Sequence, residues 1–447
     1  MKGCLLTAFC NFKLFLMNIE NLYSIFLKSS GINTDTRNIS HNSLFFALKG
    51  ENFDGNSFAA EALQKGSIYA VVDDKTYKDK ERFIYVDNVL RKLQELARFH
   101  RRKLNVPVIA ITGSNGKTTT KELCNGILCK KFRTIATKGN LNNHIGVPLT
   151  ILSSKDPQII IVEMGANHEG EIKTLCSIAE PDYGLITNIG IAHLEGFGSA
   201  EGIKRAKAEL YDFIKTKKGR VFLNTNNPTL AELVNDKKID SIEYGDSPDS
   251  ICYGEIIEKS SFLNIRLIFA EKSINIQTQL IGAYNLENIV AAAAIGRNFD
   301  VSIEDINSAV ENYVPSNSRS QYIMTENNKL ILDAYNANPS SMNHSILNFL
   351  SMKDEDEKIV ILGDMLELGN FSDEEHLKIV NLLKDRNIKK VYLVGQEFSK
   401  ASINSDFMCF DKVDSLLKYF ESNPVKNKII FLKGSRGLQL ENLIKVL

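Results

Sequence analysis

The chain of 447 residues lacks net charge: Lys and Arg total 54, Asp and Glu total 54, and 54 − 54 = 0. It therefore has no basic field of the kind that dominates non-specific nucleic-acid affinity, and no polybasic anchor for anionic lipid. Proline is scarce, at 9 residues, while 43% of the chain is hydrophobic and 24% charged. That balance excludes disordered, collagenous and low-complexity classes. No uninterrupted apolar run approaches the roughly 20 residues of a membrane span. The seven cysteines, Cys4, Cys10, Cys124, Cys129, Cys176, Cys252 and Cys409, are scattered and form no CxxC pair. This argues against a disulfide framework and against a structural zinc site. The expected setting is a reducing cytoplasm, with neither nucleic acid nor membrane as partner.

At roughly 150 residues per domain the length predicts about three domains. Residues 1–17 read as an N-terminal extension upstream of a natural start at Met17, because the apolar run to Leu16 has no small-residue cleavage site of a signal peptide. Residues 18–105 form a first unit, with a strand-like Leu44-Phe45-Phe46-Ala47-Leu48, then Ala70-Val71-Val72, then a helical run from Val89 to Lys103. From Val106 the pattern becomes strand, loop, helix, repeated, which predicts an α/β fold with a parallel sheet. Strands are predicted at Val108–Thr112, Ile159–Met164, Gly184–Asn188 and Arg220–Asn224. Period-two alternation from Cys252 to Ile281 predicts antiparallel strands, and an Ala-rich helix follows over Asn288–Arg297. Tyr313 to Gln321 reads as a linker. Beyond it, strands at Leu330–Ala334, Lys358–Gly363, Val391–Gly395 and Lys428–Lys433 predict a separate Rossmann-like unit. The expected boundaries are 18–105, 106–314 and 315–447.

The strongest local signal is Val108-Ile109-Ala110-Ile111-Thr112-Gly113-Ser114-Asn115-Gly116-Lys117-Thr118-Thr119-Thr120. An apolar strand runs through a glycine-rich turn into a helix, so backbone N–H groups and the helix N-terminus face an anion. Lys117 would reach terminal phosphates and the Thr118 hydroxyl would ligate Mg²⁺. The loop reads GxxGKT rather than GxxxxGK[ST], which argues against ordinary GTPases, motor ATPases and nucleoside kinases. Glu163 ends an otherwise apolar strand, where open α/β sheets bind ligands. His193 follows another strand end. An acid and a histidine near a phosphate loop fit a metal site, although His is unusual for Mg²⁺ and a satisfied loop histidine fits the residue as well. Lys207 shares a helical stripe with Ile203, Leu210, Tyr211 and Ile214, so it must snorkel, pair, or lose its charge. Lys433-Gly434-Ser435-Arg436-Gly437 ends a strand. Its backbone N–H groups and Arg436 suit a substrate carboxylate, and it also reads as a plain strand-to-helix turn.

Together these residues resemble the Mur ligase family of ATP-dependent amide-forming enzymes. The resemblance rests on the short loop and on five ordered stretches spanning two predicted domains. They are Asn140-Leu141-Asn142-Asn143-His144-Ile145-Gly146-Val147-Pro148, Glu163-Met164-Gly165-Ala166-Asn167, Asn188-Ile189-Gly190-Ile191-Ala192-His193-Leu194, Asp333-Ala334-Tyr335-Asn336-Ala337-Asn338-Pro339 and Gly363-Asp364-Met365-Leu366-Glu367-Leu368-Gly369. They are most similar to members that add D-alanyl-D-alanine to UDP-MurNAc-tripeptide in peptidoglycan synthesis. The last two stretches separate the chain from other amide-forming Mur ligases and from folylpolyglutamate synthase-like ligases. A P-loop kinase or regulatory nucleotide-binding module is the alternative from another class.

The resemblance implies ATP and Mg²⁺ as cofactors. It implies a UDP-substrate domain, a central ATPase domain and a closing third domain, and a monomer is expected. It assigns Gly113, Ser114, Asn115, Gly116, Lys117, Thr118 and Thr119 to ATP phosphates, Asn285 to adenine, Arg319 to phosphate and Asp333 to ribose. Thr118, Glu163, His193 and Lys207 become metal ligands, with Lys207 carbamylated; Lys117, Lys207 and His193 become the catalytic groups. Thr36, Arg37 and Asp54 go to the nucleotide-sugar substrate, and Asn143 and Arg436 are expected among the substrate-binding residues. One departure is that Ser318 precedes Arg319 where the family often has Gly.

Overall fold

The computed structural model describes residues 17–259, 262–316, 318–352 and 356–447; the predicted extension before Met17 lies outside them. The chain divides into two compact units. The first holds residues up to Val108 together with Arg133–Val162 and Thr174–Glu180, and the second holds Ile109–Phe132, Glu163–Lys173 and Pro181–Leu447.

In the first unit, four short strands form a parallel sheet in the order Ile32–Asn33, Leu44–Phe46, Tyr69–Val72, Phe83–Tyr85. Phe45, Ala70 and Val72 of this sheet, with Ala47 just past its second strand, pack against Ala59 and Ala62 of the helix Ala59–Gln64. The helix Val89–Leu104 starts on an Asn88 cap and ends at Asn105 in left-handed conformation.

In the second unit, Val108–Thr112, Tyr183–Ile186, Arg220–Asn224 and Ser241–Tyr244 pair in that order, all parallel. Val108–Thr112 is buried at every position, the state that an all-apolar central strand predicts. The alternating stretch forms three antiparallel strands, Cys252–Lys259, Leu263–Phe269 and Ser273–Gln277. The Ala-rich helix runs Asn285–Asn298 and is buried around most of its circumference. That explains why alanine, the smallest helix former, fills its middle.

A further six-stranded sheet has the order Gln321–Met324, Lys329–Asp333, Lys428–Lys433, Glu357–Gly363, Val391–Val394, Met408–Phe410. Its first strand is antiparallel and the others are parallel. Leu330, Leu332, Ile359, Ile361, Ile430 and Leu432 supply one buried face. The predicted linker therefore ends in a strand: Gln321 already pairs with Leu332.

Among the described residues no helix is long and apolar enough to cross a membrane.

Candidate functional site

The loop after Val108–Thr112 is shaped by its two glycines. Gly113 has φ +141°, and a Cβ there would stand 2.0 Å from Thr187 Oγ1. Gly116 has φ +80°, and a Cβ there would meet Asn288 Oδ1 at 2.3 Å. Both positions require glycine for conformation and for close approach. Between them Ser114 Oγ donates to the Gly190 carbonyl at 2.8 Å and accepts from Gly190 N–H at 3.0 Å. Asn115 N–H donates to Asn188 Oδ1 at 3.0 Å, and the Asn115 carbonyl accepts from Thr187 Oγ1 at 2.6 Å. The loop is thus clamped to the segment that follows Tyr183–Ile186.

The helix Lys117–Leu128 begins directly after Gly116, with no side-chain cap. Its first N–H groups remain available to an anion. Lys117 Nζ donates to the carbonyls of Gly113 at 2.6 Å and Ser114 at 2.9 Å. Burial pushes its pKa down to about 8, with Glu163 opposing and Arg319 reinforcing the shift. Thr118 Oγ1 donates to Glu163 Oε2 at 2.9 Å, and Glu163 is 1% exposed. A hydroxyl and a buried carboxylate side by side are hard oxygen donors of the kind Mg²⁺ takes. Thr119 lies in the same first turn.

His193 and Lys207, the other two expected ligands, lie at the start of the short helix Leu194–Phe197 and within the helix Ala200–Lys217. Among the described residues no three His, Cys, Asp or Glu side chains gather as a metal-binding group. His193 caps the short helix Leu194–Phe197 with φ 53°, and its Nδ1 lies 2.5 Å from Glu367 Oε2. The Nδ1 atom is buried, and this carboxylate is the charged group beside it. The Glu367 carboxyl is held below its ordinary pKa by His193. Lys207 sits within the helix Ala200–Lys217 and is 2% exposed. Its Nζ lies 5.3 Å from the Phe197 ring centroid. Burial, followed by the charge of Lys117, pushes its pKa down to about 7. The inward-facing position is as the helical stripe predicts, and the amine has not snorkelled to solvent.

The segment after Lys329–Asp333 reaches the phosphate loop. Asn338 caps the helix Pro339–Ser351 with its side-chain oxygen and donates from Nδ2 to Asn115 Oδ1 at 2.9 Å. Ser340 Oγ accepts from Ile191 N–H at 2.9 Å. Arg319 lies over the Tyr335 ring, 3.5 Å from its centroid, and Arg436 is 5.1 Å from the same centroid. Arg319 Nε is buried without a hydrogen-bond partner. Two arginines predicted for different substrates therefore share one aromatic platform, which sequence reasoning did not assign. Ser318, the residue standing in for the usual glycine, has φ 56°, the left-handed region that glycine enters with less strain.

Two expected nucleotide contacts are engaged internally. The Asp333 carboxylate accepts from Lys433 Nζ at 2.5 Å, Ser345 Oγ at 3.1 Å and Ser320 N–H at 3.1 Å. Asn285 donates to the Ile281 carbonyl at 2.7 Å and accepts from Asn288 at 2.8 Å, while Asn288 accepts from Thr120 Oγ1 at 3.0 Å. Asn285 thereby props the helix that carries the phosphate loop.

In the first unit Arg37 is exposed and pairs with Asp35 at 2.5 Å, next to Thr36. Asp54 caps the turn Gly55–Phe58 through Asn56 N–H at 2.9 Å. Asn143 Oδ1 accepts from Gly146 N–H at 2.9 Å, at the start of Gly146–Ile151. Asn143 thus has a capping role that its motif did not disclose.

Comparison with known proteins places these features in context. The Mur ligase middle domain matches residues 111–296, the Mur ligase glutamate ligase domain matches 318–436, and the Mur ligase family catalytic domain matches 28–110. The chain is 32% identical over 432 residues to UDP-N-acetylmuramoyl-tripeptide--D-alanyl-D-alanine ligase of Bacillus subtilis, covering 93% of this chain and 92% of that one. It is 34% identical to the ligase of the same name from Haemophilus influenzae, covering 92% of each chain. Among solved structures, MurF from Acinetobacter baumannii superposes with a TM-score of 0.84 at 31% identity, over 93% of this chain and 92% of that one. MurF ligase from Thermotoga maritima in complex with ADP superposes with a TM-score of 0.82 at 26% identity, over 94% and 97%.

Proposed function

The chain belongs to the Mur ligase family, and on that footing we propose that it joins D-alanyl-D-alanine to UDP-MurNAc-tripeptide at the expense of ATP. The observation that carries the reading is the full-length likeness to ligases of that name, joined to a GxxGKT loop that Asn338 contacts at Asn115, with Ser340 bonded to Ile191 on the segment beside it. ATP is the phosphoryl donor, as the ADP-bound relative supports.

A carboxylate is a poor electrophile because oxide is a poor leaving group. Transfer of the γ-phosphoryl to the C-terminal carboxylate of the tripeptide gives an acyl phosphate and ADP. The amine of the dipeptide attacks its carbonyl, and phosphate leaves with the electron pair of the broken C–O bond. The amine proton is lost to solvent or a base. No enzyme nucleophile is needed, so catalysis rests on positioning and charge stabilisation. Lys117 is parked on the carbonyls of Gly113 and Ser114 and would turn to the transferring phosphoryl group. The free N–H groups at Lys117–Thr119 would hold the phosphate chain. Arg319, stacked on Tyr335, presents a charge to the same anion. Arg436, on the same ring, suits the carboxylate of the incoming dipeptide.

Thr118 and Glu163 would hold Mg²⁺, which supplies neutralising charge to the phosphate oxygens when bound. Lys207, buried and with a lowered pKa, is the amine suited to add CO₂ and release a proton, giving a carbamate. The carbamate oxygens and His193 would complete a second cation position. Asn285 and Asp333 would border adenine and ribose, and Thr36, Arg37, Asp54 and Asn143 the nucleotide-sugar substrate. The division into 18–105, 106–314 and 315–447 follows the same reading, as do a cytoplasmic location and a monomeric state.

The experiment is phosphate release measured with ATP alone, with each cosubstrate, and with both. Release that requires both the nucleotide-tripeptide and the dipeptide is expected. Equal release with ATP alone would make the protein a P-loop ATPase rather than a ligase.

A further inference from the structure

We infer that Glu367 is a positioning residue for His193, delivered to it by a loop that buried groups hold rigid. The inference rests on the ligase reading, to which it adds a residue and a device.

His193 and Glu367 are both non-glycine residues in the left-handed region, at φ 53° and 67°. Such conformations cost energy and persist where surroundings over-determine them. The two face each other, with Nδ1 and Oε2 2.5 Å apart. Nδ1 is buried, and Glu367 is the carboxylate the structure offers it. The backbones meet too: Glu195 N–H donates to the Glu367 carbonyl at 3.3 Å. Gly369 lies so close that a Cβ there would stand 3.2 Å from Glu195 Cβ. The stretch 367–369 is thus seated on the start of the helix that His193 caps.

The loop carrying Glu367 is fixed from behind. His376 is fully buried. Its Nε2 accepts from Met365 N–H at 3.0 Å and its Nδ1 lies 2.7 Å from the Ser372 carbonyl. An accepting Nε2 and a donating Nδ1 make His376 the neutral Nδ1–H tautomer. Leu366 N–H donates to Ser435 Oγ at 2.9 Å. The Asp364 carboxylate takes the N–H groups of Glu397 at 3.0 Å and Phe398 at 2.8 Å. Three successive residues, Asp364 to Leu366, are therefore tied down immediately before Glu367. This is how a supporting shell holds a functional group in place.

A carboxylate beside Nδ1 keeps the proton on that nitrogen and leaves Nε2 as the lone-pair nitrogen. His193 is then ready to accept a hydrogen bond or a cation through Nε2. Because Glu367 comes from the segment beyond the linker, the tautomer of His193 becomes a consequence of that segment being seated.

The test uses the full chain labelled with ¹⁵N-histidine, the His193 signals being assigned by their loss in His193→Gln. At a pH of about 8 the wild type should show a protonated Nδ1 and an unprotonated Nε2. Glu367→Ala should move the proton toward Nε2. Glu367→Gln keeps an accepting oxygen and should retain the wild-type pattern. In ligation assays Glu367→Ala should lose about tenfold or more in kcat, the range for removing a ligand's supporting partner. KM for ATP should hold, and Glu367→Gln should recover most of the rate. A wild-type tautomer pattern in Glu367→Ala overturns the inference. Because the spectra need no turnover, that outcome is distinct from failure of the ligase reading.

Discussion

Lys207 shows how one side chain can carry two separate tests. Its ammonium is buried and its pKa depressed to about 7 from an ordinary 10.5. Below about pH 7 the group is charged whether folded or unfolded, and the folded state bears the full cost of burying it. Between about 7 and 10.5 the unfolded chain binds the proton and the folded chain does not, so stability rises with pH across that window. In CO₂-free buffer, denaturant midpoints of wild type relative to Lys207→Met should rise from pH 7 to pH 10. A flat or falling difference would mean that the amine is solvated. For activity, Lys207→Ala should be inactive and partly rescued by a short carboxylate such as acetate, while Lys207→Arg should stay inactive. An active Arg variant would show that the side chain works as a cation.

Lys117 behaves differently. Among the described residues it hydrogen-bonds to loop carbonyls alone, so Lys117→Ala should leave the circular-dichroism melt near wild type and cut kcat by about 10² or more. A variant near the wild-type rate would remove the loop from the phosphate site.

Among elements, the glycine loop makes the strictest demand. Gly116→Ala adds a methyl 2.3 Å from Asn288 Oδ1 at a φ of +80°. Left-handed strain alone costs about 1–3 kcal/mol, so chemical denaturation should report a loss of at least about 1 kcal/mol, with weakened nucleotide binding. A change within about 0.5 kcal/mol would mean that the helix Asn285–Asn298 does not brace the loop. Strands buried on both faces were legible as unbroken apolar runs: Arg220–Asn224 and Lys428–Lys433 have the predicted bounds. Gln321–Met324 and Met408–Phe410 were not, because they are the two edges of their sheet. Each is three or four residues long and half-exposed, which leaves little periodicity to read. The phosphate loop was legible because its chemistry is local. The Glu367–His193 pair was not, since each residue sits in a separate motif and only tertiary structure brings them together. The same holds for Tyr335 beneath Arg319 and Arg436, and for Asn338 against Asn115.

For the whole molecule, the proposed activity would depend on segments from both sides of the linker coming together around the phosphate loop. Asn338 and Glu367 lie beyond it and Arg319 within it, whereas Lys117, Thr118, Glu163 and His193 lie before it. A phosphate loop alone would hydrolyse or transfer phosphate to many acceptors. The second set of groups is what would restrict transfer to a peptide carboxylate and then admit an amine. The most direct measurement of that claim is mass spectrometry of the product formed from ATP, D-alanyl-D-alanine and UDP-MurNAc-tripeptides bearing meso-diaminopimelate or lysine at the third position. The account predicts a pentapeptide product from at least one tripeptide, formed only when the dipeptide is present and accompanied by one ADP and one phosphate. Addition of a single amino acid to a shorter precursor, with no use of the dipeptide, would contradict it.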